Sequence, residues 1–312
     1  IEDSDADVFH ANWTYEYALA LLDSGRPGLV TVRDHSWNMI RCLGVRYLPH
    51  FLMSVQVIRK ASRISAVSPY VGRFVERFTA LPVPVVPNCA AEDILERGRS
   101  LGPILDPGDR LTICSAISWS RFKNARGGLE AFGALRRKWP KSEYHLMGPG
   151  LSEGESGQQW ARSNHLAEGV VFHGNVGRDK VMDIMSRSDV VLHPSLEESF
   201  GNPLVEGMAL GRLVVAGKKA GGCAWVLGDG EAGQLVDCSC VPDITQALMW
   251  ALDHPDLARE MARKGNLMAR TRFSTHSIVG SWEAQYESAC GRDLLADGAG
   301  VAGSPRDGCA GS

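Results

Sequence analysis

Val190-Val191-Leu192-His193 is a short apolar run, Pro194 to Gly201 a polar loop, Asn202-Pro203 through Leu210-Gly211 a helical stretch, and Leu213-Val214-Val215-Ala216 a second apolar run. Asn202 reads as the helix cap, Pro203 as the first helical residue and Gly211 as the stop, the residue types that open and close helices. Two short runs rich in Val and Leu joined by a capped helix predict parallel strands linked by a crossover. That unit places the chain in the α/β class.

The alternation continues in both directions. Further strands are expected at Leu111 to Ile117, Tyr144 to Met147, Val170 to His173 and Gln234 to Val236, with helices between them and at Ile244 to Leu252, Leu257 to Arg270 and Ser277 to Cys290. Toward the start, Asp7 to His10, Leu29 to Arg33, Ile64 to Val67 and Val83 to Val86 read as strands, and Thr14 to Asp23, Pro49 to Ser62 and Pro69 to Thr79 as helices. Ala90 to Pro107, with Pro, Gly and acidic residues, reads as a linker. Ala296 to Ser312 is Gly/Ala/Ser-rich without apolar periodicity and is expected to be disordered.

At 312 residues the chain has room for two domains, and 44% hydrophobic with 22% charged residues is a globular composition. Basic and acidic residues are mixed along the chain and sum to −3, which gives no sign of a nucleic-acid binder. No apolar run approaches the roughly 20 residues of a membrane span, and no basic-then-apolar leader is seen, so the expectation is a soluble, cytoplasmic protein. The eight cysteines are scattered, with one C-S-C pair too tight for metal or redox spacing, and read as free thiols. The chain begins at Ile1 and runs almost at once into a strand, so an upstream segment is expected to be missing.

In an open parallel sheet, ligands sit beyond the carboxyl ends of the strands. There the loop after His193 carries Glu198, and the following helix carries Glu206 one turn in; both carboxylates can approach one ligand. Gly201 permits close backbone approach, and the helix start offers free N–H groups and partial positive charge suited to phosphate. The loop after Ile117 brings Arg121 and Lys123, and the loop after Ala216 brings Lys218-Lys219-Ala220-Gly221-Gly222, read as a cationic N–H nest. A surface acidic pair and a solvated lysine are the bland alternatives for these residues.

These residues resemble the family 4 retaining glycosyltransferases (glycosyl transferases group 1). Glu198 and Glu206 have the family's E-x7-E spacing, and Glu-Ser-Phe-Gly-Asn-Pro-Leu-Val-Glu-Gly-Met-Ala-Leu-Gly over 198–211 follows its E-G-F-G-x-P-x-x-E-A-M-A-x-G. Ala66-Val67-Ser68, Val86-Pro87-Asn88, Met147-Gly148-Pro149-Gly150, Phe172-His173-Gly174, Ala220-Gly221-Gly222 and Gly233-Gln234-Leu235-Val236 add shorter matches between about Asp7 and Cys290. The resemblance implies the GT-B fold, two Rossmann-like domains facing a cleft, the first lacking its start. On this basis 1–93 is a partial acceptor-side domain, 94–108 a linker, 109–274 the nucleotide-sugar domain, 275–291 a helix crossing back onto the first domain, and 292–312 the tail.

It further implies transfer of a sugar from a nucleotide-diphosphate sugar, with retained anomeric configuration and without metal or other cofactor, to a glycan, lipid-linked or small-molecule acceptor. Lys123 and Glu198 would be catalytic. Arg121, Ser199, Phe200, Gly201, Asn202, Glu206, Gly221 and Gly222 would bind the donor, with Glu206 on the ribose hydroxyls. The sequence departs from the family at Ser118, where an Arg is common and for which Arg121 is the candidate substitute, and at Arg33, where a His is common, which leaves Arg33 and His35 as first-domain candidates. Trp225 stands where Glu is frequent. Arg41, Arg46, Arg59, Lys60 and Arg63 form a faint basic patch of the kind relatives use for peripheral membrane attachment. The competing readings are a GT-B nucleotide-sugar epimerase and a degenerate, non-catalytic nucleotide-sugar-binding partner.

Overall fold

The computed structural model describes residues 4–101 and 110–290. The tail expected to be disordered and residues 102–108 of the expected linker lie outside the described residues.

A first sheet of three parallel strands is formed by β1 (Phe9–Asn12), β2 (Gly28–Val32) and β3 (Ile64–Ala66), in that spatial order. Helix α1 (Glu16–Ser24) joins β1 to β2; α2 (Ser36–Leu43) and α3 (Leu48–Lys60) join β2 to β3; α4 (Pro69–Val75) follows β3. The expected strand at Val83 to Val86 is reduced to one parallel bridge, Ala66 with Val85. Pro84 and Pro87 supply no N–H there, so the segment cannot sustain a ladder.

Helix α5 (Glu92–Leu101) occupies residues expected to be a linker. Its apolar Ile94 and Leu95 are buried despite the charged surroundings that suggested a connector, and Gly98 lets the helix press on a backbone carbonyl.

The second sheet contains β4 (Thr112–Ala116), β5 (Glu143–Met147), β6 (Val170–Gly174), β7 (Val190–His193), β8 (Leu213–Gly217) and β9 (Gln234–Val236). Helices α6 (Ala125–Lys138), α7 (Ser156–Ser163), α8 (Arg178–Arg187), α9 (Asn202–Ala209) and the short α10 (Cys223–Val226) lie between the strands, and α11 (Val241–Asp253), α12 (Pro255–Arg272) and α13 (Thr275–Ala289) follow them. The six strands are parallel in the order β6-β5-β4-β7-β8-β9. Each half thus grows away from the β4–β7 pair, the doubly wound arrangement with its switch point between them.

Both faces of this sheet are covered, which explains why its central strands read as continuous apolar runs. Val190, Leu192, Leu213 and Val215 face one core with α6 and α11; Val191, Val214 and Ala216 face the other, by the two-residue alternation of strand side chains. The second core is continuous with that of the first sheet, including Val30, Val32, Ile64 and Val71. Helix α13 reaches the first sheet: Tyr286 Oη lies 3.0 Å from His10 Nδ1, and the Trp282 ring packs 4.8 Å from the His10 ring. Ala90 N–H donates to the Phe273 carbonyl at 2.7 Å just before that crossing. Cysteines among the described residues are all free thiols.

The seat of α5 is testable. A Cβ at Gly98 would come 1.8 Å from the Ala209 carbonyl oxygen at the end of α9, a backbone clash that no rotamer relieves. Gly98→Ala should cost about 1–3 kcal/mol, the usual scale of overpacking, and lower the melting midpoint measured by calorimetry by about 2–4 °C per kcal/mol. An unchanged midpoint would show that α5 does not sit on α9.

Candidate active site

The switch point lets the loops after β4 and β7 meet above the sheet. Leu196 N–H donates to the Phe122 carbonyl at 2.7 Å, and Asn124 Nδ2 donates to the carbonyls of Pro194 at 3.2 Å and Cys238 at 2.8 Å. Asn124 holds a left-handed backbone and caps α6 through Gly127 N–H. This knot presents Lys123 to the facing loop, where its Nζ lies 2.5 Å from Glu198 Oε2.

Glu198 has a second partner that the sequence reading missed. His193 Nε2, at the end of β7, lies 2.9 Å from the same Oε2 and 3.1 Å from Ser195 Oγ. The ring is 98% buried, its side chain being only 2% exposed. Toward an ionised carboxylate Nε2 must donate. Burial raises the pKa of Glu198, but the His193 hydrogen bond and the Lys123 ammonium outweigh it and hold the carboxyl at about 2. Only its strand-end position marks His193 in the sequence, and the apolar run ending there reads as core.

Gly201, with φ of +91°, turns the chain from this loop into α9, and a Cβ there would meet Leu204 Cδ1 at 2.9 Å. Gly201 is therefore the cap, and Asn202 is already helical; the expected cap role of Asn202 is corrected, since no side chain caps this helix. Asn202 Oδ1 instead accepts from Asn88 Nδ2 at 2.7 Å. Phe200 turns its ring into the core, 5.8 Å from Phe273 and 6.4 Å from Trp225, which leaves its backbone to line the site. Trp225 thereby acquires a packing role, closed on its far side by Arg272 at 4.9 Å.

The first sheet supplies the opposite wall. Ser68 Oγ donates to the Ser199 carbonyl at 2.5 Å, and Tyr70 Oη donates to Glu197 Oε1 at 2.6 Å. Arg33 donates to Asn12 Oδ1 at 2.6 Å and to Asn88 Oδ1, and has no carboxylate partner among the described residues. Its half-buried guanidinium faces residues 198–202 across a cavity of about 460 Å³ that Trp13 also lines. His35 is brought to the site differently: it lines a cavity of about 180 Å³ with Lys123 and Glu198. Its ring packs 4.2 Å from Phe74, its Nδ1 accepts from Asn38 N–H, and burial lowers its pKa to about 4. A third cavity, about 280 Å³, opens at the ends of β4 and β5 between Ser118, Gly148, Val176 and Lys123.

Glu206 lies one turn into α9, half-buried, with no hydrogen-bond or ion-pair partner among the described residues, and burial raises its pKa. Three groups of residues sit elsewhere than expected. Arg121 is exposed and lines an outer groove with Trp119 and Leu196, not the cavities at Gly201 or Ser118. Lys218 and Lys219 pair with Asp243 and Asp237, so their loop is not free cationic surface. Gly222 N–H donates to the Glu198 carbonyl at 2.8 Å, and a Cβ at Gly221 would meet that same oxygen at 2.1 Å. These glycines brace the Glu198 loop by close approach, and the Gly222 N–H is taken up by it.

The linkage of Glu198 has a definite sign. Its carboxyl titrates at about 2 when folded against an ordinary 4.5, so its stabilisation is complete above the unfolded value and lost as pH falls through the folded one. The stability difference between the native sequence and Glu198→Gln, followed by urea unfolding, should be largest above about pH 5 and shrink toward pH 2. A difference independent of pH would mean that the ion pair is not formed.

The profile of glycosyl transferases group 1 matches residues 103–268. The chain is 35% identical over 115 residues to the MMP alpha-(1->4)-mannosyltransferase of Mycolicibacterium hassiacum, covering 36% of this chain and 28% of that protein. It is 32% identical over 162 residues to the D-inositol 3-phosphate glycosyltransferase of Rhodococcus jostii, covering 50% and 36%. These matches thus span about a third of the curated relatives' length. Among solved structures, Anabaena HepE in complex with UDP and glucose superposes with a TM-score of 0.75 at 20% identity, over 90% of this chain and 78% of that one. Sucrose-phosphate synthase from Thermosynechococcus elongatus gives 0.74 at 18%, over 93% and 75%. The shared fold is GT-B, with parallel sheets facing across a cleft. A family profile that spans more than half of the chain and includes Lys123, Glu198 and Glu206 carries the assignment: the chain belongs to the glycosyl transferases group 1 family.

Proposed function

We propose that this chain is a retaining hexosyltransferase that uses a nucleotide-diphosphate sugar and needs no metal or other cofactor. The observation that carries the reading is the Lys123–Glu198 ion pair at the switch point, with the carboxylate-free Arg33 facing the same loop. A carboxyl held at about 2 is ionised at neutral pH, so Glu198 orients a donor-sugar hydroxyl as an acceptor and does not serve as a general acid. Lys123, Arg33 and the start of α9 stabilise the charge that develops on the diphosphate, with Arg33 taking the place that Arg121 does not reach. The unpartnered Glu206 carboxylate accepts from the ribose hydroxyls, and the cavity at Ser118 and Gly148 receives the base. The bond from the anomeric carbon to the diphosphate oxygen breaks, the acceptor oxygen bonds to that carbon from the same face, and the departing phosphate oxygen takes the acceptor's proton. The acceptor hydroxyl belongs to a glycan, a lipid-linked acceptor or a small molecule. The reaction is placed in the cytoplasm, at the inner membrane face where the acceptor is lipid-linked. Among the described residues no helix is long and apolar enough to cross a membrane.

HepE was crystallised with UDP, which makes a thermal-shift panel of UDP, GDP, ADP and their sugars the first test. At 100 times its dissociation constant a ligand contributes about 2.7 kcal/mol, and each kcal/mol moves the midpoint by about 2–4 °C. One base should give this shift, and Glu206→Ala should abolish it; no shift with any nucleotide would sink the reading. Lys123→Ala should lower turnover about a hundredfold, the usual cost of removing one preorganised transition-state donor, while the nucleotide still binds. Equal turnover would remove Lys123 from the mechanism.

A further inference from the structure

A groove leads outward from the ion pair on the side away from Gly201. The 180 Å³ cavity at Lys123 and Glu198 shares Asn38, Cys42, Phe122 and Glu197 with a neighbour of about 320 Å³. That neighbour shares Arg121 and Leu196 with an outer cavity of about 560 Å³. Arg41 and Arg121 line the middle of this path, and Arg121 and Arg126 its outer end.

The charge along the path is graded. Its carboxylates are engaged, Glu198 and Asp34 at the inner end and Glu197 between the inner and middle cavities: Glu198 with Lys123 and His193, Glu197 with Tyr70, and Asp34 Oδ2 with Tyr15 Oη at 2.7 Å. The three arginines are exposed and have no carboxylate partner among the described residues. Arg41 reaches only Asn38 Oδ1, at 3.4 Å, and Arg126 lies 5.3 Å over both the Trp119 and Trp160 rings. Stacking on an indole fixes the plane of a guanidinium while leaving its N–H edges outward. Elsewhere the surface cations are commonly paired, as in Arg97–Asp183, Arg136–Glu168, Arg178–Asp93 and Lys219–Asp237. Unpaired guanidinium forks converging on one groove suit the oxygens of a phosphate, which they can grip in pairs.

We infer that the groove binds a phosphate-bearing acceptor, whose sugar enters the cavity lined by Lys123 and Glu198 and whose phosphate is held by Arg121 and Arg126 with Arg41. Calling this occupant the acceptor rests on the transferase reading. The phosphate belongs either to a soluble sugar phosphate or to a lipid headgroup. It lies outward because the engaged carboxylates at the inner end repel it, while the sugar hydroxyls can bond to them.

Titration calorimetry of the full chain with glucose 6-phosphate, with glucose as control, tests the soluble source. Flotation with phosphatidylcholine vesicles, with and without phosphatidylglycerol, tests the headgroup. Arg121→Ala and Arg126→Ala should each weaken the phosphate-dependent binding about tenfold or more, as loss of a charge-assisted hydrogen bond does, and Arg121→Lys should restore only part of it. Binding to glucose 6-phosphate alone assigns a soluble acceptor, and binding to anionic vesicles alone a lipid-linked one; either supports the inference. No phosphate-dependent binding in either arm, or binding that both alanine variants leave unchanged, overturns it. The nucleotide-induced thermal shift of Arg126→Ala should match that of the native sequence. Loss of that shift in the native sequence would strike the transferase reading, whatever the phosphate titration shows.

Discussion

The reversal of strand order between β4 and β7 is the constraint on which the rest of the molecule depends. Because β5 and β6 extend the sheet one way and β8 and β9 the other, no crossover covers the ends of the central pair. Two loops enter that uncovered crevice, and each carries one half of an ion pair. Lys123 and Glu198 are far apart in sequence yet 2.5 Å apart in space. Neither would be held there without the hydrogen bonds that tie the loops: Asn124 to Pro194 and Cys238, and Leu196 to Phe122. Burial in this position would ordinarily push a carboxyl toward its neutral form. The opposite outcome at Glu198 comes from His193 and Lys123, so the charge state of the site is a product of its packing.

The first sheet completes the cleft through a small number of directed contacts. Ser68 meets the Ser199 carbonyl, Tyr70 meets Glu197, and Asn88 links Arg33 to Asn202. All three reach the loop that leads into α9 or the first residue of that helix, and Ser68 holds the loop by its backbone. The glycine pair at 221–222 supports this loop from beneath, and Phe200 anchors it in the core against Phe273. Covalent continuity acts in the same sense, because α13 returns to the first sheet at His10 after the chain has passed Ala90. The groove with its arginines opens where these contacts end, between α2 of the first unit and the loop after β4 of the second.

Much of this was legible in the linear sequence. Alternating apolar runs located the six strands of the second sheet to within a residue or two, since strands buried on both faces carry few polar residues to blur the signal. Gly201 reads as a point of close backbone approach and does turn the chain into α9, whereas the pairing of Glu198 with Glu206 as a motif rests on the family resemblance. Failures occurred where the decisive partner was remote. Helix α5 was hidden among charged and glycine residues because its apolar side is narrow and is buried by α9, which lies far along the chain. Arg121, the candidate substitute for the Arg common at the Ser118 position, lines the outer groove while Lys123 faces Glu198, because successive residues in an irregular loop point in different directions.

The sequence by itself determined the class of the fold and the order of its elements, properties set by local periodicity and short-range spacing. The tertiary structure decided which cations face the acidic loop, that His193 stands behind Glu198, that Arg33 lacks a carboxylate while Lys218 and Lys219 are paired, and that Gly221 and Gly222 brace the backbone. The physical reason is that charge state and hydrogen bonding depend on distances between residues far apart in the chain, and these are fixed only when both sheets and their connecting loops have packed.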